Sequence, residues 1–112
     1  MSRITTHVLD TSRGRPAAGV AVALERETEG GWIAAGRGTT DADGRVKDLM
    51  EAGAEVEAAT YRLTFETGAY FAALGVESFY PRVVVVFSTS AGEHYHVPVL
   101  VNPFGYSTYR GS

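Results

Sequence analysis

Residues 3–10 read RITTHVLD, and their alternation decides the fold class. Ile4, Thr6 and Val8 fall on one face of an extended chain, and Arg3, Thr5 and His7 fall on the other. A period of two marks a strand with one buried face. The same period returns downstream. VAVALERE (20–27) turns Val20, Val22 and Leu24 inward, TEGG (28–31) makes a hairpin connection, and WIAAGRGTT (32–40) is the return strand. TYRLTFET (60–67) and RVVVVFS (82–88) are further strands. In EHYHVPVLVNP (93–103), Tyr95, Val97, Val99 and Val101 share one face, and His94, His96, Pro98 and Leu100 share the other. NPFG turns the chain, and YSTY (106–109) pairs back as a last short strand.

Between these strands lie recognisable breaks. RGRPAAG (13–19) is a loop, and DADG (41–44) is a turn in which Gly44 supplies a positive φ. TGAYFAALG (67–75) predicts a short helix, with Thr67 as N-cap and Gly75 as stop. Residues 48–58 read as a short helix or a long loop. RVVVVFS is apolar on both faces, so its second face is expected to meet another subunit or the short helix. Pro98 removes a ladder donor, which predicts a bulge or a sheet edge there. Seven or eight short strands with at most one clear helix define an all-β, Greek-key β-sandwich, expected as a single domain over residues 1–112.

Composition narrows the function classes. At 112 residues and 45% hydrophobic, the chain is long and apolar enough for one real core. A net charge of −3 with no basic face disfavours nucleic acid and anionic membranes as partners. No apolar run approaches the ~18–20 residues of a membrane span. MSRITTHVLD carries no apolar leader, so a cytoplasmic location is expected. With no cysteine, disulfides and thiolate zinc sites are absent, and stability rests on packing and assembly.

The chemistry-bearing residues lie on the non-core faces. His7 sits on the outer side of the first strand, and His94 and His96 on the outer side of a late one. Three readings apply: solvated decoration, a zinc site in which His7 adds the third ligand to His94 and His96, or acid–base chemistry near neutral pH. Arg45 directly follows the D-x-D-G turn. DADGRVKDLMEA is not a calcium loop: its glycine stands fourth rather than sixth, and Ala52 replaces the closing glutamate. GRG (36–38) is not followed by a helix as a phosphate loop requires, and no G-x-S-x-G is present. The tail YSTYRGS brings Tyr109, which can stack on a flat ring, and Arg110, which can grip a planar anion, close to the histidine strand.

These segments together resemble a known family. ITTHVLDTSRGRPAAGV, TDADGR, YRLTFETGAYF, FYPRVVVVF and HYHVPVLVNPFGYSTYRGS are similar to the 5-hydroxyisourate hydrolases, transthyretin-like enzymes of urate (purine) degradation. The resemblance covers nearly all of residues 4–112. It implies a transthyretin-like (prealbumin-like) sandwich of about eight strands with one short helix. It implies the hydrolytic opening of 5-hydroxyisourate to 2-oxo-4-hydroxy-4-carboxy-5-ureidoimidazoline, with no cofactor and no metal. The family's catalytic residues match His7, Arg45, His96 and Ser112, and its substrate-binding residues match His7, Arg45, Tyr109 and Arg110. The resemblance also implies a homotetramer, a dimer of dimers with its sites in a channel between dimers. Two other classes remain at this point. A transthyretin-type carrier shares the fold but lacks the YRGS ending, and a plain adhesion or accessory module leaves the His/Arg set without a use.

Overall fold

Alternating burial along β1 (Ile4–Asp10) places Ile4, Thr6, Val8 and Asp10 inside and Thr5, His7 and Leu9 on the outer face. The computed structural model describes residues 2–112. The chain continues through β2 (Arg15–Pro16), β3 (Ala21–Thr28), β4 (Gly31–Thr39), β5 (Thr60–Phe65), α1 (Thr67–Ala73), β6 (Val83–Ser88), β7 (Tyr95–Asn102) and β8 (Gly105–Thr108). These strands form two four-stranded sheets, β2-β1-β7-β8 and β4-β3-β5-β6. All pairings are antiparallel except β1 with β7, which run parallel from Ile4↔Tyr95 to Asp10↔Val101. Among the described residues, no helix is long and apolar enough to cross a membrane.

The core fills the space between the sheets. Ile4, Val8, Val99 and Val101 meet Leu24, Leu63, Phe65 and Val83, all essentially inaccessible to solvent. The segment that read as helix or loop, 48–58, is irregular. It still contributes Leu49, Met50 and Val56 to the core without forming an element. Ala and Glu favour a helix there, but Asp48 at φ +55° and Gly53 at φ +83° interrupt one.

Two local expectations change, and a third keeps only one of its two alternatives. The N-cap of α1 is Glu66 rather than Thr67; Thr67 is the first helical residue, is buried, and no side chain caps the helix. The helix is instead held from within. Tyr70 Oη donates to Asp10 Oδ2 at 2.7 Å. The other Asp10 oxygen accepts from the Ser12 hydroxyl at 2.5 Å and the Ser12 amide at 3.0 Å. Burial alone would raise the Asp10 pKa, but the Ser12 and Tyr70 hydrogen bonds outweigh it and hold the carboxyl below its ordinary value. This contribution to stability is fully present above the unfolded carboxyl pKa and is lost as pH falls through the lower folded value.

The second face of RVVVVFS is not covered by α1. Val84 and Val86 on β6 are 44% and 58% exposed, and β6 is the outer strand of its sheet. Pro98, expected at a bulge or an edge, lies in a central strand between β1 and β8. The β7–β8 ladder runs from Asn102↔Gly105 to Val99↔Thr108, then reappears in the same register at the isolated bridge His96↔Gly111. Without an amide hydrogen, Pro98 opens the ladder opposite Tyr109 without shifting it. Thr108 Oγ1 instead donates to the Pro98 carbonyl at 2.8 Å.

Candidate active site

Three pieces of chain converge on the outer face of the β1–β7 pair. The first is β1–β7 itself, whose parallel register sets Thr5 against His96 and His7 against Pro98. Thr5 Oγ1 lies 2.8 Å from His96 Nδ1.

The second piece is the DADG turn. Asp41 Oδ1 accepts from the Asp43 amide at 2.9 Å and the Arg45 amide at 3.1 Å. That Arg45 amide bond is the leading reason the Asp41 carboxyl titrates below its ordinary value. The turn docks on β1 through the Val8 amide, which donates to the Gly44 carbonyl at 2.8 Å. Gly44 adopts φ +76°, and a Cβ there would stand 2.3 Å from the Val8 carbonyl oxygen. Only glycine fits both demands. The consequence is an antiparallel bridge between Arg45 and His7.

The third piece is the C-terminal segment. The Gly111 amide donates to the His96 carbonyl at 2.8 Å. A Cβ on Gly111 would come within 2.6 Å of His96 Cδ2 and 3.2 Å of Pro98 Cγ. The glycine therefore lets the chain lie directly against the imidazole. Ser112 follows it into an open cleft of about 540 Å³, lined also by Thr5, Asp41, Arg45, Lys47, His94 and His96.

Electrostatics set the state of His96. Burial lowers its pKa below the ordinary histidine value, and the positive charges of Arg45, His7 and His94 lower it further. A half-buried imidazole is thus kept in its neutral, proton-accepting form. Because the folded pKa lies below the unfolded one, His96 protonation opposes folding as pH drops under about 6.5. Replacing Arg45 by Met removes one of these charges. Nuclear magnetic resonance titration is expected to show the His96 pKa rising in Arg45→Met; an unchanged or lower value contradicts the proximity of the guanidinium.

Of the residues singled out in the sequence, His96, Arg45 and Ser112 line one cleft, with His7 bridged to Arg45 beside it. Tyr109 and Arg110 do not line it. They border a second cavity of about 240 Å³ with Val85, Phe87, Tyr95 and Val97. The Arg110 guanidinium lies 4.6 Å from the centre of the Tyr95 ring, and its Nη2 stands 4.0 Å from Glu93 Oε1. Alternation explains the split. With Gly111 opposite His96, the neighbouring Arg110 falls to the other side of the strand. Sequence reasoning missed Thr5 and Asp41. The signals were present: Thr5 shares a strand face with His7, and Asp41 opens the turn that carries Arg45. No cluster of three or more His, Cys, Asp or Glu side chains suited to a metal forms among the described residues.

An eight-stranded sandwich with a polar His/Arg cleft on one outer sheet defines a transthyretin-like protein. Residues 4–111 match the HIUase/Transthyretin family, and the chain belongs to it. It is 45% identical over 119 residues to the 5-hydroxyisourate hydrolase of Caulobacter vibrioides, covering 100% of both chains. It superposes on the 5-hydroxyisourate hydrolase of Klebsiella pneumoniae with a TM-score of 0.83 at 44% identity, covering 97% of this chain and 98% of that one. Sea bream transthyretin in complex with thyroxine gives a TM-score of 0.90 at 31% identity, covering 98% of this chain and 95% of that one. Backbone shape thus fails to separate hydrolase from hormone binder; identity and site chemistry separate them.

Proposed function

We propose that the cleft opens the six-membered ring of 5-hydroxyisourate with water, giving 2-oxo-4-hydroxy-4-carboxy-5-ureidoimidazoline. The observation that carries this reading is the neutral-biased His96 imidazole in one cleft with the Arg45 guanidinium. Hydrolysis of a cyclic amide needs an activated water, a counter-charge for the oxyanion and a proton for the departing nitrogen. His7 and His96 share water activation and proton delivery, a contribution of typically ~10²–10⁴-fold. Arg45 stabilises the negative charge that develops on the attacked carbonyl. Water's oxygen bonds to that carbon, the ring C–N bond breaks, and the nitrogen leaves with a proton from an imidazole. Ser112, at the cleft wall, orients the water or the substrate. No cofactor is needed for any of these steps.

Tyr109, 59% exposed, is proposed as a stacking residue for the flat substrate at the rim. Arg110 is proposed to act on binding through the terminal segment, since its stacking on Tyr95 and its proximity to Glu93 favour an anchoring role. The whole chain is proposed to work as one domain and to assemble as a homotetramer, a dimer of dimers. Uncovered Val84 and Val86, with β6 and β8 as free outer strands, support that assembly. Sedimentation equilibrium giving the mass of one protomer at assay concentrations would overturn it.

The direct test is the ultraviolet absorbance of freshly generated 5-hydroxyisourate with and without the protein. Faster decay is expected, and it should return close to the uncatalysed rate with Arg45→Met. No acceleration by the wild-type protein would leave a carrier of the thyroxine-binding kind, or a scaffold.

A further inference from the structure

Thr5 has no part in the scheme above, yet it makes the one side-chain hydrogen bond that His96 forms among the described residues. The contact is fixed by the fold. Thr5 and His96 are directly paired in the parallel β1–β7 register, and both lie on the outer faces of their strands and line the cleft. The 2.8 Å separation runs from Thr5 Oγ1 to Nδ1, the nitrogen nearer the main chain. A threonine hydroxyl can accept as well as donate, so this contact allows Nδ1 to carry the hydrogen while Nε2 stays open. The other ring edge, at Cδ2, lies against Gly111.

We propose that Thr5 is a positioning residue: its Oγ1 accepts the Nδ1–H of His96, which leaves the Nε2 lone pair as the site that takes and returns the catalytic proton. This inference rests on the reading of His96 as a proton-transfer group. In the neutral ring, Nδ1–H donates to Thr5 and Nε2 is free. When water attacks the carbonyl, its proton moves to Nε2, and the imidazolium keeps its Nδ1–H bond to Thr5. The Nε2 proton then passes to the departing nitrogen, and the ring returns to its starting tautomer. Thr5 thus plays toward His96 the orienting role that a carboxylate plays in a charge-paired dyad, without adding a negative charge beside Arg45.

The test compares Thr5→Val and Thr5→Ser with wild type. Valine keeps the β-branched shape that suits a strand and removes only the hydroxyl; serine restores it. Three readouts separate positioning from a merely structural role. Thr5→Val is expected to lower kcat for 5-hydroxyisourate by about tenfold with KM nearly unchanged, as befits one hydrogen bond to a group that becomes charged. Thr5→Ser should recover most of the loss. In Thr5→Val the imidazolium loses an acceptor, so the acid limb of the kcat profile moves to lower pH. The other groups facing His96 are His7 from β1, His94 just before β7, Arg45, Lys47, Asp41 and Asp43 from the turn segment, and Ser112 from the C-terminal segment. All are common to both proteins, so the difference between profiles isolates the Thr5 contact. Finally, ¹⁵N resonances of the resting wild-type protein should place the neutral-ring hydrogen of His96 on Nδ1. Wild-type kcat and an unmoved acid limb in Thr5→Val, or a neutral ring protonated on Nε2, overturns the proposal while the hydrolase reading stands. A wild-type protein that fails to accelerate ring opening overturns both.

Discussion

His96→Ala is expected to lower kcat for 5-hydroxyisourate opening by about 10²–10⁴-fold, the usual worth of a positioned proton-transfer group. Stability should change far less. His96 lies on the outer face of β7, whereas the core is built by the inward residues Tyr95, Val97, Val99 and Val101. Truncating an outward, half-buried imidazole opens no core cavity, and its backbone pairing with Gly111 is independent of the side chain. The informative comparison is therefore between steady-state rates and thermal unfolding of the same preparation. A large fall in kcat with nearly unchanged unfolding supports His96 in proton transfer. An alanine variant that turns over like wild type removes it from the chemistry.

Gly111→Ala tests a different claim with an effect of about 10²-fold, the scale on which a misplacement of ~1 Å acts on a rate. The added Cβ would stand 2.6 Å from His96 Cδ2, closer than two carbons can approach. The chain cannot easily retreat, because the Gly111 amide is bonded to the His96 carbonyl. Either the imidazole swings away from its Thr5 contact or the terminal bridge opens and withdraws Ser112 from the cleft. Both outcomes damage the site while leaving the sandwich intact. The prediction is a folded protein with sharply reduced kcat, read by the same ultraviolet assay. Wild-type activity in Gly111→Ala would mean that the terminal segment does not press on the ring in the working enzyme.

The two variants together separate the chemistry of the imidazole from its placement. His96→Ala deletes the group, and Gly111→Ala leaves it present but displaced. The pKa direction of His96 adds a third handle. Burial and the charges of Arg45, His7 and His94 all favour the neutral ring, so the acidic fall in activity belongs below the ordinary histidine range.

Strand positions and inward faces were legible because burial on one side of a pleated strand writes itself as a period of two. Ile4, Val8, Val22, Leu24, Val97 and Val99 all face the core as their spacing requires. The family was legible too, from RITTHVLD, the DADGR turn and the YRGS ending. The end of α1 at Gly75 follows from local chemistry: Gly75 has φ +72°, and its amide bonds to the Ala72 carbonyl at 3.0 Å. The start of α1 did not follow. Thr67 is buried inside the first turn, and the Tyr70–Asp10 hydrogen bond across the molecule supplies the anchor that a cap would otherwise give.

By itself, then, the amino-acid order determined which residues face in and which face out, and its family resemblance marked His7, Arg45, His96 and Ser112 as candidate site residues. Tertiary structure alone decided their company. Only the parallel register of β1 on β7 sets Thr5 against His96, and only the docking of the turn on Val8 sets Arg45 beside His7. Only the resumption of the β7–β8 register beyond Pro98 puts Gly111 against the imidazole and sends Arg110 to Tyr95. The physical reason is range. Periodicity reflects the geometry of neighbouring residues along one chain, whereas register is chosen by contacts between segments some 90 residues apart, through packing and hydrogen bonds that no single segment contains.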